Sequence, residues 1–299
     1  MLKNLLIIQK ENSDHNTLNT WGELFGGALE KRGVTVTYMS AQGSTEVFIS
    51  RLSESTADVR YDAALAFNSD GLQELRLNNV NLWDQLHIPF FDYIVDHPLE
   101  HTFLDSSCEN YHLICIDKNH ARFVRQYYPN VKSVCFLPLP GLGDINVSPE
   151  EMEEFALREY EFVLTAGLVK PDRYFERICG LPERLRMIAL LWIDYMEGHP
   201  DMAPETALRL VLDDRFSGNE ISGRLYRELA EKASDAILFI RSYFRQKIVE
   251  TLLASGLSID IWGNGWDELK TRYRDSGAVF HGDISMSDTP LVYQKQNSH

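Results

Sequence analysis

The chain is short of cysteine, of basic residues and of long apolar runs, and each shortage removes a class of function. Its 299 residues hold four cysteines, Cys108, Cys115, Cys135 and Cys179, with no C-x-x-C pair. That pattern suits neither a zinc site nor a disulfide framework, and predicts reduced thiols, mostly in the core. Lys and Arg number 29 against 44 Asp and Glu, a net charge of −15. So negative a protein repels nucleic-acid phosphates and anionic membrane surfaces. It can still take a small phosphorylated ligand, which a few backbone amides hold locally. The opening MLKNLLIIQKEN contains an apolar run too short for a signal peptide or a membrane span. No membrane insertion and a cytoplasmic location are expected.

Several motifs are missing as well. There is no G-x-x-x-x-G-K-[ST], which excludes a P-loop nucleotidase. There is no D-x-D, the usual metal-binding signature of manganese-dependent sugar transfer, and no G-x-S-x-G nucleophile elbow. Gly263-Asn264-Gly265 and Gly141-Leu142-Gly143 both lack the third glycine of a dinucleotide fingerprint.

What the sequence does have is alternation. Apolar strands are expected at 4–10, 34–40, 61–68, 88–96, 111–117 and 133–141. Amphipathic helices are expected between them, notably at 17–33, with Gly33 as its stop, and at 118–129. Continuous apolar strands separated by helices predict an α/β fold, a doubly wound, Rossmann-like parallel sheet over residues 1–150. PLPGLGDINVSPEEMEEF (138–155) has the composition of a linker. A second, partial α/β domain is then expected over 151–299, with strands at 159–164, 236–240, 258–263 and 278–284. An all-helical insertion at about 174–236 should separate its first two strands.

Ligands of open parallel sheets sit beyond the carboxyl ends of the strands. Strand 88–96 ends in Asp96-His97-Pro98, where Pro98 biases His97 to an extended backbone. A histidine beside an acid can act as a base near neutral pH. The competing reading has Asp96 capping the next helix and His97 facing water. Asn68 and Asp70 end strand 61–68. In the second half, the turns at 165–167, 263–266 and 281–283 each place glycine at a strand end, where backbone can approach a ligand closely. Each could equally be only a turn.

The order of these pieces resembles the GT-B-fold glycosyltransferases, specifically the bacterial group related to the spore maturation protein CgeB. The resemblance rests on IVDHPLEH, CIDKNHARFVRQYYP and FLPLPG in the first half, and on RSYFRQKIVETL, IDIWGNGW and VFHGDIS in the second. It implies two Rossmann-like domains facing across a cleft, transfer of sugar from a nucleotide-sugar donor to an acceptor, and no metal or other cofactor. Carried over, His97 or Asp96 stands where the catalytic base would be. Asn68, Asp70 and His101 stand on the acceptor side. Gly167, Arg241, Gly263, Asn264 and Gly265 stand where donor-contacting loops would be. Arg241 suits a phosphate, which a guanidinium grips through two hydrogen bonds.

The sequence departs from that pattern after VFHGDIS. The family continues with a loop carrying an acid for the donor ribose and with further strands, which are not among these 299 residues. The expectation is therefore a truncated donor domain, weak donor binding and no transfer by the isolated chain, and a partner chain or dimer covering the open C-terminal edge. Two readings besides the enzyme stay open: a non-catalytic sugar- or nucleotide-binding module, and an interaction protein that docks through its helical stretch.

Overall fold

The computed structural model describes residues 2–10, 17–101, 104–139, 160–216, 221–286 and 288–294. The expected linker and the Gly141–Gly143 stretch lie almost wholly outside them. The chain divides into two compact units. One comprises Met1–Pro140 with Gly223–Arg227, the other Gly141–Ser222 with Glu228–His299.

The first unit is an α/β layer structure. Its strands are β1 (Asn4–Gln9), β2 (Thr35–Ser40), β3 (Ala63–Phe67), a small β4–β5 hairpin (Arg76–Leu77 and Val80–Asn81), β6 (Phe90–Ile94), β7 (Tyr111–Cys115) and β8 (Ser133–Phe136). Helices α1 (Thr17–Glu30), α2 (Thr45–Asp58), α3 (Leu82–Leu86) and α4 (Lys118–Tyr127) connect them. Six strands form one sheet in the order β2-β1-β3-β6-β7-β8, and every pairing in it is parallel. This is the doubly wound arrangement expected from the alternating runs. Gly33, with φ of 85°, ends the turn after α1 as the sequence suggests.

The core explains the apolar runs. All five residues of β3 are buried, as are Leu5, Leu6, Ile7 and Ile8 of β1. Each fully buried Leu or Ile contributes about 1.5–3 kcal/mol. Phe67 and Tyr93 stack at 4.8 Å, and Phe25 of α1 meets both edge-on. Burial pushes the Tyr93 phenol up to about 12. Its hydroxyl donates to the carbonyls of Leu137 and Pro138.

The second unit holds β9 (Phe162–Thr165), β10 (Ile259–Trp262) and β11 (Val279–Gly282), a parallel sheet in the order β11-β10-β9. Between β9 and β10 come α5 (Pro171–Cys179), α6 (Glu183–Gly198), α7 (Pro204–Arg215), α8 (Gly223–Lys232) and α9 (Asp235–Ala254). After β10 come α10 (Asp267–Arg272) and, past β11, α11 (Thr289–Gln294). The sheet's core side packs Ile259 and Ile261 against Val249 and Leu253 of α9 and Leu269 of α10.

One expectation fails here. Residues 236–240 are not a strand. They are the first turns of α9, which continues unbroken to Ala254. Five consecutive apolar residues carry no period of their own, and this run buries Ala236, Ile237 and Ile240 in the helical layer beside α5 and α6. The helical segment therefore spans 171–254 and separates β9 directly from β10. Part of it groups with the first unit. Tyr226 stacks on Tyr127 at 4.5 Å, and Arg227 pairs with Asp105 at 2.9 Å.

Candidate functional site

The order β2-β1-β3 makes the gap between the carboxyl ends of β1 and β3 the topological switch point of the first sheet, where such folds bind ligands. Three strand ends supply its side chains. Lys10 follows β1, and its ammonium bonds both the Asn68 carbonyl and the Asp70 carboxylate. Asn68 and Asp70 follow β3 in a left-handed backbone, with φ of 48° and 49°, and Gly71 continues it at 97°. Non-glycine residues in this conformation, here Asn68 and Asp70, are strained unless their surroundings hold them.

Asp92 does much of that holding. It lies inside β6, fully buried, and accepts the Ser69 backbone N–H at 2.9 Å, the Ser69 hydroxyl at 2.5 Å and the Tyr111 hydroxyl at 3.0 Å. Burial raises its pKa, against the pull of these bonds and of His101. Asn68 is the second clamp. Its Oδ1 accepts Val95 N–H at 2.9 Å, and its Nδ2 donates to Asp96 Oδ2 at 2.9 Å.

The structure thus gathers Asn68, Asp70 and Asp96 at one place. His97 is adjacent but differently employed. It is buried, and its Nδ1 accepts the Leu99 N–H at 3.2 Å, capping the short 3₁₀ turn Pro98–Glu100. Its ring meets His120 edge-on at 4.7 Å. The cap of that turn is therefore His97 and not Asp96, and His97 does not face water. His101 follows the turn, half-buried, with its Nε2 unbonded among the described residues. The sequence reading missed Lys10, Ser69 and Asp92. Lys10 carried one usable signal, its place directly behind an apolar strand.

In the second unit the glycine turns close on each other. Ala166 N–H donates to the Trp262 carbonyl at 2.9 Å, Leu168 N–H to the Asn264 carbonyl at 2.8 Å, and the Trp266 indole to the Ala166 carbonyl at 2.8 Å. Gly263 and Gly265 have φ of 125° and 91°, and a Cβ on them would lie 2.5 Å and 1.9 Å from the backbone of Ala166 and Leu168. Gly167, Gly263, Asn264 and Gly265 therefore form one interlocked pair of loops at the ends of β9 and β10. The close approach their glycines permit is to each other's backbone.

One arginine of α9 reaches this interlock. Arg245 donates to the Gly167 carbonyl at 2.7 Å. Its pKa is lowered by burial and then by the like charge of Arg241, one helical turn earlier and exposed. Arg245 was missed because only an unbroken α9 places 241 and 245 on one side. A cavity of about 430 Å³ opens beside the interlock, lined among others by Leu168, Lys170, Tyr243, Gly265 and Arg272. No cluster of three or more metal-ligating side chains occurs among the described residues, nor is any described helix long and apolar enough to cross a membrane.

No family model and no curated protein matches the chain. Among solved structures it is similar to the NADH-dependent butanol dehydrogenase A of Thermotoga maritima at 12% identity, with a TM-score of 0.29, covering 82% of this chain and 57% of that one. It is also similar to an ABC sugar transporter subunit of Rhodobacter sphaeroides 2.4.1 at 11% identity, with a TM-score of 0.24, covering 71% and 74%. The chain thus spans little more than half the length of the dehydrogenase. At these scores neither likeness bears on activity, and the architecture is that of an α/β protein with a Rossmann-like parallel sheet.

Proposed function

We propose that the chain is a metal-independent glycosyltransferase of the GT-B type, with its acceptor side on the first unit and a nucleotide-sugar on the second. One observation carries the reading: at the switch point of a doubly wound sheet, a carboxylate, Asp96, is held in place by the amide of Asn68. A positioned carboxylate can take a proton from a hydroxyl. Asp96 suits that role better than His97. The Nδ1 lone pair of His97 is engaged by the Leu99 N–H, which leaves the ring's proton on Nε2. His97 then serves as a hydrogen-bond donor.

In the proposed reaction Asp96 takes the proton of the acceptor hydroxyl. That oxygen bonds to the anomeric carbon as the bond from this carbon to the diphosphate breaks. Arg241 and Arg245 supply positive charge to the departing diphosphate. Asn68, Asp70 and His101 line the acceptor side, and the loops of Gly167 and Gly263–Gly265 shape the donor side. Donor and acceptor are the reactants and no cofactor is proposed; the location proposed is the cytoplasm.

Calorimetric titration with UDP-glucose, UDP-N-acetylglucosamine and GDP-mannose tests this, together with release of nucleoside diphosphate in the presence of acceptor sugars. Weak saturable binding that Arg241→Ala removes is expected, and Asp96→Asn should lower any turnover by about 10²–10⁴. No binding of any donor would overturn the proposal. A second reading, a non-catalytic binding module, draws support from the glycines, which face backbone and leave less room for a diphosphate. Binding without turnover that survives Arg241→Ala would select it.

A further inference from the structure

The second unit contains a titratable pair that the loops at the ends of β9 and β10 do not use. Strand alternation turns Asp260 and Trp262 to the sheet face opposite Ile259 and Ile261. Asp260 is 7% exposed. A polar side chain so buried needs a hydrogen-bond partner. That partner is His281 on the neighbouring strand, whose Nε2 lies 2.6 Å from Asp260 Oδ1.

The imidazole cannot turn away. It lies flat on the Trp262 indole, with centroids 4.0 Å apart and planes 6° from parallel. Tyr160 meets the Trp262 ring edge-on at 5.2 Å and the His281 ring at 6.2 Å. The bond to the carboxylate fixes the proton on Nε2, and so directs a lone pair to Nδ1. No described residue bonds Nδ1, and the side chain is 30% exposed. His281 is also next to Gly282, whose carbonyl accepts the Gly263 N–H. It therefore stands at the carboxyl end of the sheet, where parallel folds hold their ligands.

We propose that Asp260 and His281 form a proton-accepting dyad. His281 Nδ1 is the general base for a hydroxyl group, of an alcohol or of water, bound at the ends of β10 and β11. Asp260 is the positioning residue. The proton passes from the hydroxyl oxygen to Nδ1 as that oxygen's electron pair bonds to an electrophilic carbon or phosphorus of a co-substrate and the bond to its leaving group breaks, while Asp260 holds the imidazolium in place. The proton then returns to solvent from the exposed ring. The dyad lies wholly in the second unit and does not depend on the chain being a sugar transferase.

Two measurements on the full chain test it. A long-range ¹H–¹⁵N spectrum of the neutral His281 imidazole should show its proton on Nε2. A neutral ring with its proton on Nδ1 would leave no lone pair there and would overturn the proposal. Ethoxycarbonylation with diethyl pyrocarbonate, followed by peptide mass spectrometry, should place His281 among the faster of the nine histidines. Asp260→Asn should slow His281 several-fold and leave the remaining histidines unchanged. An unreactive His281 in the wild-type chain, which requires no variant to fold, would also overturn it.

Discussion

Asn68 holds Asp96 across the ends of two neighbouring strands, giving Nδ2–H to the carboxylate at 2.9 Å while its Oδ1 takes the Val95 N–H, also at 2.9 Å. Asn68 does so from a backbone with φ of 48°. Asn68→Ala should lose both bonds, about 0.5–1.5 kcal/mol each, and keep the left-handed strain. Asn68→Gly loses the same bonds but accepts the conformation, so it should be the more stable of the two by about 1–2 kcal/mol. Urea unfolding of both variants checks the difference. Equal stabilities would mean that the backbone relaxes.

Asp92 makes a prediction about acid. Its folded pKa is raised above the ordinary 3.8, chiefly by burial. The folded state therefore holds this proton more tightly than the unfolded one. The contribution of Asp92 to stability is fully present below the unfolded value and is lost as pH rises from there through the raised folded value. Asp92→Asn removes that titration. Wild-type stability relative to the variant should fall as pH climbs above about 4. A difference that is flat or rises with pH would contradict the assignment.

The glycines of the second unit should separate sharply. Gly265→Ala puts a Cβ 1.9 Å from the Leu168 carbonyl oxygen, and Gly263→Ala puts one 2.5 Å from the Ala166 backbone. Neither obstacle is a side chain that can swing aside, so both variants should lose about 3 kcal/mol or more. Gly282, with φ of 82°, has nothing within 4 Å of an added Cβ. Gly282→Ala should cost only backbone strain, about 1–2 kcal/mol. Thermal melts of the three variants give the order.

Thiol labelling should divide the cysteines in two. Burial pushes Cys108 and Cys115 up to about 12, and both are enclosed, whereas Cys135 and Cys179 are exposed. Ellman's reagent at neutral pH should count two thiols in the native chain and four after unfolding. Partial burial also raises Cys135. Four fast thiols would mean that β7 is not held in the sheet as described.

Arg241 and Arg245 should differ in what they damage. Arg245→Ala removes the bond to the Gly167 carbonyl and should loosen the interlock. Arg241→Ala should weaken binding of a nucleoside diphosphate about ten- to a hundred-fold, the loss of one charged hydrogen bond. Paired melting and calorimetry distinguish the two effects.

The first sheet was legible because its central strands, β1, β3, β6 and β7, are largely buried and so appear as apolar runs ended by polar residues. The same rule misread 236–240, where an apolar run opens a helix buried against other helices. The residues around Asp96 were harder to see. Asp92 is hidden inside FFDYI and looks like one polar step in a strand, although it anchors the loop beyond β3. Lys10 looks like any lysine at a strand end until β3 is placed beside β1. His97 stood out for its neighbours in sequence, yet what it does is set by the Leu99 N–H that its ring caps.

The loop interlock also has a consequence in time. Trp266 reaches back to Ala166 across 100 residues of chain, and β9 has β10 as its partner in the sheet. A ribosome adding about 5–20 residues per second delivers β10 roughly 5–20 s after β9. Throughout that wait β9 is a nascent strand with no neighbour, both its edges open to other chains. The helices α5 to α9 can form locally in the interval, so this half of the protein should assemble its helical layer first and close its sheet last. The yield of soluble protein should then depend on synthesis speed and on holdase chaperones far more through residues 162–165 than through any strand of the first sheet.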